Sequence, residues 1–240
     1  MKKGNVLITG ASRGIGRAIA QAFAKDGYNL TLCCLNNIEA LENYARELAE
    51  AYHVVVSAYK CDVSSSSDVK KMFEEITPPD IVINNAGISY VGLLTDMSDD
   101  DWRKTIDTNL SSAFYICRAA IPSMVRNQFG KIINISSVWG NVGASTEVAY
   151  SASKGGLNSF TKALAKELAP SKITVNAVSC GLIDTEMNSH LSDDELADII
   201  DSIPANRIGK PNDIASVVLN LAKTEDYLTG QIISVDGGWV

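Results

Sequence analysis

Asn5-Val6-Leu7-Ile8-Thr9-Gly10-Ala11-Ser12-Arg13-Gly14-Ile15-Gly16 is the stretch that decides the fold. A short β-branched and apolar run, 5–9, enters a loop with glycines at 10, 14 and 16. Residues 14–26 then carry apolar side chains at helical spacing. Glycines in such a turn let an anion approach the backbone, and the helix N-terminus behind it offers free N–H groups and a positive dipole end. The spacing, T-G-x-x-x-G-x-G, differs from the commoner G-x-G-x-x-G, and a plain turn packing helix on strand is the alternative reading. The strand–loop–helix setting favours a dinucleotide diphosphate as occupant.

The alternation continues along the chain. Strands are expected at 29–34, 54–59, 81–84, 131–135, 173–178 and 231–235. Helices are expected at 39–51, 66–76, 99–127, 148–168, 193–202 and 212–222. Strict β/α alternation predicts an α/β fold: a single doubly wound Rossmann-type domain over 1–240, its parallel sheet covered on both faces. Ser64 to Ser67 reads as a turn and helix cap, and Asp99-Asp100-Asp101 as acidic charge at a helix N-terminus.

Composition excludes several functions. The net charge of −7 and a pI near 4.9 disfavour contact with phosphate backbones, so no nucleic-acid partner is expected. No apolar run approaches the ~18 residues of a membrane span, so no membrane partner is expected. The five cysteines include no C-x-x-C pair, and their odd number suits reduced thiols in a cytoplasmic protein. The two histidines, His53 and His190, have no partner at metal-ligand spacing, and no metal is expected. A serine hydrolase elbow, G-x-S-x-G, is absent.

The second strand ends Cys33-Cys34-Leu35-Asn36-Asn37, without the carboxylate that would hold an NAD ribose. Arg13 offers a planar fork to a 2′-phosphate, which predicts NADPH rather than NADH; a solvated loop charge is the alternative. Further on, Tyr150 and Lys154 stand at i and i+4 on one helix face, where an ammonium favours phenolate and lowers the phenol pKa. Ser137 follows a strand at the sheet edge where α/β sites form, placed to hydrogen-bond a substrate carbonyl.

Together these motifs resemble the short-chain dehydrogenase/reductase family. The resemblance covers essentially the whole chain: Thr9 to Gly16, Asn84-Asn85-Ala86-Gly87, Asn109, Ser137, Tyr150, Lys154, Asn176 to Gly181, and Val235-Asp236-Gly237-Gly238. It implies a seven-stranded parallel sheet and hydride transfer to or from a carbonyl. It implies that Tyr150 is the general acid, that Ser137 polarises the carbonyl, that Lys154 lowers the Tyr150 pKa and holds the nicotinamide ribose, and that Asn109 positions a water. Cofactor contacts implied are Gly10, Ser12, Arg13, Gly14, Ile15 and Gly16 at the loop, with Asn36, Asp62 and Val63 toward the adenine end and Tyr150 and Lys154 at the catalytic end. Asn84, Ala86 and Gly87 are implied on the ribose side, Ile183 and Thr185 at the carboxamide. Within the family the chain is most similar to the 3-oxoacyl-[acyl-carrier-protein] reductases of fatty-acid synthesis, NADPH-dependent homotetramers that act on an acyl thioester carried by acyl-carrier protein. A short-chain alcohol or sugar dehydrogenase is the nearest alternative, and a non-catalytic nucleotide-binding regulator is another.

Three further expectations concern the substrate side. Residues 184–204 form a small substrate lid, with Met187, Leu191, Leu196, Ile199 and Ile200 giving it apolar character. Arg126, Lys131 and Lys172 are candidate bases for docking a carrier protein, or scattered surface charges. Cys180 stands where the family usually has proline, and is either close enough to the cofactor for thiol modification to inhibit or a buried inert thiol.

Overall fold

The computed structural model describes residues 3–189 and 191–240; Met1, Lys2 and His190 lie outside the described residues. Seven strands form one parallel sheet: β1 (Asn5–Thr9), β2 (Asn29–Cys34), β3 (Val56–Lys60), β4 (Ile81–Asn84), β5 (Gly130–Ser137), β6 (Ile173–Cys180) and β7 (Ile232–Val235). Their order is β3-β2-β1-β4-β5-β6-β7, with every pairing parallel. The chain order reverses between β1 and β4, which puts the ligand crevice at the carboxyl ends of those strands.

Helices α1 (Gly14–Lys25), α2 (Ile38–Tyr52), α3 (Ser66–Glu75), α4 (Asp99–Ile106), α5 (Ser112–Asn127), α6 (Trp139–Val142), α7 (Val148–Leu168), α8 (Asp193–Ser202) and α9 (Pro211–Ala222) connect the strands. Consecutive strand residues feed opposite cores. Val6, Ile8, Ile81 and Ile83 join Ile19, Phe23, Leu41 and Val218 on the α1–α2–α9 face. Leu7 and Val82, between them in sequence, join Met72, Ile116, Met124 and Leu164 on the α3–α5–α7 face. Burial of each such side chain contributes about 1.5–3 kcal/mol, so both faces hold the sheet.

The expected cap and the expected acidic first turn are both present. Ser65 accepts the Asp68 amide at the start of α3, and Ser98 accepts that of Asp101 ahead of the acidic turn of α4. The single helix expected at 99–127 is interrupted: Asp107–Ser111 forms a π-helical turn between α4 and α5. β5 and β6 run two residues further than the apolar pattern suggested, to Ser137 and Cys180, because their polar ends remain paired and buried. Among the described residues no helix is long and apolar enough to cross a membrane.

Candidate active site

The loop after β1 is built from contacts that reach across to β4. Thr9 Oγ1 accepts the amides of Asn85 and Ala86, both at 3.0 Å, and Asn85 Nδ2 donates to the carbonyls of Thr9 at 2.9 Å and Gly10 at 3.0 Å. Gly10 has φ +64°, and a Cβ there would stand 2.9 Å from Ala86 Cα. A Cβ on Gly16 would lie 2.3 Å from the Gly10 carbonyl oxygen. These glycines therefore shape a cradle rather than merely close a turn. At its base α1 starts with no side-chain cap from Arg13 and no acid in its first turn. Its leading amides are left for an anion, and the residues present fit a dinucleotide diphosphate.

A cavity of about 580 Å³ opens over this loop and runs along the strand ends. Gly10, Ser12, Arg13, Gly14, Ile15 and Gly16 line it, as do Asn36, Asp62, Val63, Ala86, Gly87, Ile183 and Thr185. Asn36 and Asn37 follow β2, where Asn37 sits in the left-handed region and starts α2; no carboxylate occupies 35–37. One carboxylate oxygen of Asp62 is committed locally, accepting the Ser64 amide at 3.0 Å and hydroxyl at 2.6 Å. Arg13 is not a free cation: its Nη1 lies 2.6 Å from Glu186 Oε2, in an exposed pair. Such pairs are worth about 0–1 kcal/mol, so a doubly charged phosphate would compete with it easily.

Two expected residues are placed differently. Asn84 does not line the cavity. It is buried in β4, with Nδ2 donating to Asn134 Oδ1 at 2.8 Å and its own Oδ1 unpartnered. Strand alternation turns its side chain into the α5–α7 face, and Asn85 takes the position beside the loop. Asn109 is also absent from the cavity wall. It is 2% exposed and clamps the loop after β4, accepting the Ile88 amide at 2.8 Å and donating to the Ile88 carbonyl at 2.9 Å and Ser153 Oγ at 3.0 Å. The π-helical turn carries it inward.

Ser137, Tyr150 and Lys154 converge at the far end of the cavity. Ser137 ends β5, and its Oγ accepts the Trp139 amide at 3.2 Å. Tyr150 and Lys154 share a face of α7. That helix is held in register by a chain of side chains: Ser136 Oγ donates to Asn158 Oδ1 at 2.6 Å, Asn158 Nδ2 to Asn141 Oδ1 at 2.9 Å, and Asn141 Nδ2 to Ser179 Oγ at 3.1 Å. The Ser137 hydroxyl lies near enough to the Tyr150 phenol to favour its charged form.

The electrostatics depart from the sequence expectation. Desolvation pushes the Tyr150 phenol above its usual range, with smaller raising contributions from Cys180 and Glu147, while Ser137 opposes them. Lys154 is not the controlling influence. Burial lowers its own pKa to about 8, and its Nζ donates to the Ile135 carbonyl at 2.8 Å. The site thus holds a protonated phenol, the form that can donate a proton.

Several lining residues were not anticipated. Glu147 precedes α7 and accepts from Ser89 Oγ at 2.6 Å, bringing a carboxylate beside Tyr150. Trp139 and Trp239 meet at the cavity wall. Cys180 lines the cavity but is 5% exposed, and burial drives its thiol up to about 12, which favours the inert reading. Of the five apolar residues expected in the lid, Met187 lines the cavity; α8 has no buried residue and supplies no lining. Lys131 is buried at the start of β5, donating to the Thr224 carbonyl at 2.7 Å. Lys172 precedes β6 and Arg126 ends α5, so within one chain all three candidate docking bases lie at the sheet edge opposite the cavity.

A family model described as enoyl-(acyl carrier protein) reductase matches residues 10–240. The chain is 40% identical over 235 residues to the uncharacterized oxidoreductase YmfI of Bacillus subtilis (strain 168), covering 97% of each chain. It is 40% identical over 237 residues to the 3-oxoacyl-[acyl-carrier-protein] reductase FabG of Chlamydia muridarum (strain MoPn / Nigg), covering 97% of this chain and 95% of that one. Among solved structures, a 3-oxoacyl-[acyl-carrier protein] reductase from Brucella melitensis ATCC 23457 superposes with a TM-score of 0.94 at 38% identity, covering 100% of this chain and 92% of that one. With the glycine cradle, the seven-stranded parallel sheet and the Ser137–Tyr150–Lys154 cluster in one molecule, the chain belongs to the short-chain dehydrogenase/reductase family of oxidoreductases.

Proposed function

We propose that the chain reduces a 3-oxoacyl thioester, carried by acyl-carrier protein or coenzyme A, to the 3-hydroxyacyl thioester, with NADPH as cofactor. The observation that carries this reading is the clustering of Ser137, Tyr150 and Lys154 in the cavity that begins on the glycine loop. When bound, the reduced dinucleotide supplies the hydride. Ser137 and Tyr150 hydrogen-bond the substrate oxygen, and Tyr150 releases its proton to that oxygen as negative charge develops. Lys154 then stabilises the phenolate left on Tyr150, and Asn109 keeps the loop at Ile88 against the site. The lack of an acid at 35–37, with Arg13 beside the loop, supports NADPH over NADH. A cytoplasmic homotetramer serving fatty-acid synthesis belongs to the same proposal and rests on the family resemblance.

The test is absorbance loss at the reduced-nicotinamide band with acetoacetyl-coenzyme A, comparing the two cofactors. Rapid oxidation of NADPH alone is expected. No turnover with either cofactor, in protein that binds NADPH, would overturn the thioester assignment.

A further inference from the structure

Two indoles line the cavity near Ser137. Trp139 follows Ser137 by two residues, and Trp239 is the penultimate residue of the chain. They meet edge to face, with ring centroids 5.0 Å apart and planes at 62°, and both line the cavity that Ser137 and Tyr150 share. An aromatic pair of this geometry attracts beyond what its burial alone contributes.

The tail carrying Trp239 is fastened at several points. One Asp236 carboxylate oxygen accepts the Gly238 amide at 3.0 Å and the other accepts the Val240 amide at 3.2 Å. Gly237 and Gly238 take φ of +72° and +82°, a turn that side chains with a Cβ rarely adopt. The Gly237 carbonyl accepts the Ala205 amide at 3.0 Å, which clamps the tail to the segment after α8. Trp139 is held from its own side by the hydrogen bond its backbone amide donates to Ser137 Oγ.

We propose that Trp139 and Trp239 form a fixed wall that limits how far a substrate extends beyond its reacting carbonyl, so that the site takes short 3-oxo compounds in preference to long acyl chains. Two further observations support this. The cavity of about 580 Å³ begins at Asn36 and Asp62 and must also take the dinucleotide. The dinucleotide takes the part of that volume lined by the glycine loop, so only the remainder is left for substrate. The apolar residues of α8, which would make a groove for a long chain, do not line the cavity.

This inference rests on the carbonyl-reductase reading above, and its test separates the two. Methyl acetoacetate, methyl 3-oxooctanoate and methyl 3-oxododecanoate are compared with the matching coenzyme A thioesters as substrates of the wild type, Trp139→Ala, Trp239→Ala and Trp239→Phe. Wild-type kcat/KM should fall as the chain lengthens. Either alanine variant should raise the long-to-short ratio by about tenfold, the scale on which an apolar pocket discriminates by size, while Trp239→Phe changes it little and the dinucleotide Kd stays constant. Binding of the same series, followed by quenching of indole emission, reads the ratio without turnover. Equal wild-type preference for short and long chains in both measurements overturns the wall without any variant. An unchanged ratio in both alanine variants also overturns it. Reduction of the esters but not the thioesters would refute the thioester assignment while leaving the size preference to be read from the esters.

Discussion

Lys154 Nζ stands 5.6 Å from the centroid of the Tyr150 ring and gives its hydrogen bond to the carbonyl of Ile135. The ammonium is therefore braced against the backbone of β5 while it stands over the Tyr150 ring. Burial lowers the Lys154 pKa to about 8 and raises that of Tyr150, so in this structure the two groups are set for proton donation rather than for a standing phenolate.

Reduction needs Tyr150 protonated, so its rate should hold through neutral pH and fall only on the alkaline side. Glu147 adds negative charge beside the phenol and helps keep the proton on. Glu147→Gln should lower the Tyr150 pKa and move the alkaline limb of kcat/KM for reduction to lower pH. An unmoved limb, with chemistry rate-limiting, would remove Glu147 from this role. Tyr150→Phe should cost about 10²–10⁴-fold in turnover and leave cofactor binding intact.

Gly16→Ala places a methyl group 2.3 Å from the Gly10 carbonyl oxygen, a backbone atom that cannot swing aside. Dinucleotide binding, measured by calorimetry or by emission of the reduced nicotinamide, should be lost. The seven-stranded core lies elsewhere, so the far-ultraviolet circular dichroism should be retained.

Arg13→Ala should raise the KM for NADPH about tenfold or more and leave that for NADH nearly unchanged, the loss expected for a charge-assisted phosphate contact. Glu186→Gln, which frees Arg13 from its ion pair, should act weakly in the opposite direction. Equal effects on both cofactors would show that Arg13 does not read the 2′-phosphate.

Asn158→Ala breaks the chain from Ser136 to Ser179 and leaves the buried Ser136 hydroxyl with only the long bond to the Lys154 carbonyl at 3.5 Å. Denaturant unfolding should show a loss of about 1–3 kcal/mol. Activity should fall as well, since the same residue sets the register of α7.

All five cysteines are buried, and burial raises the pKa of each thiol: Cys61 to about 11, Cys117 and Cys180 to about 12, and Cys33 and Cys34 above the usual range. A raised folded-state pKa contributes stability that is complete below the unfolded value near pH 9 and is lost as pH rises through the folded values. The urea midpoint should therefore decline from about pH 9 upward. At neutral pH, iodoacetamide should label none of the thiols in the folded protein; rapid labelling of Cys180 with loss of activity would contradict its inert placement.

Much of the architecture was legible in the sequence. Apolar periodicity located β4 at Ile81–Asn84, α7 at Val148–Leu168 and α8 at Asp193–Ser202 to the residue. The carboxyl ends of β5 and β6 were not legible, because Ser136, Ser137 and Ser179 lack the apolar signature of a buried strand, and Ser136 and Ser179 are satisfied by partners distant in sequence. The π-helical turn escaped for a related reason: one extra residue in a helical turn leaves no mark on the apolar pattern, yet it brings Asn109 inside. Asn84 and Asn85 are neighbours in a motif, and only strand pleat assigns the first to the core and the second to the loop.

The sequence by itself determined the alternating α/β frame, the glycine loop after β1 and the helical pairing of Tyr150 with Lys154, since each depends on residues close in the chain. Tertiary structure decided what surrounds them. It turned Arg13 toward Glu186, set Glu147 against Ser89 and brought the chain's penultimate tryptophan onto Trp139. It also decided that desolvation, rather than Lys154, governs the Tyr150 proton. Those outcomes depend on burial and on contacts between segments tens to hundreds of residues apart, and local sequence carries no measure of either.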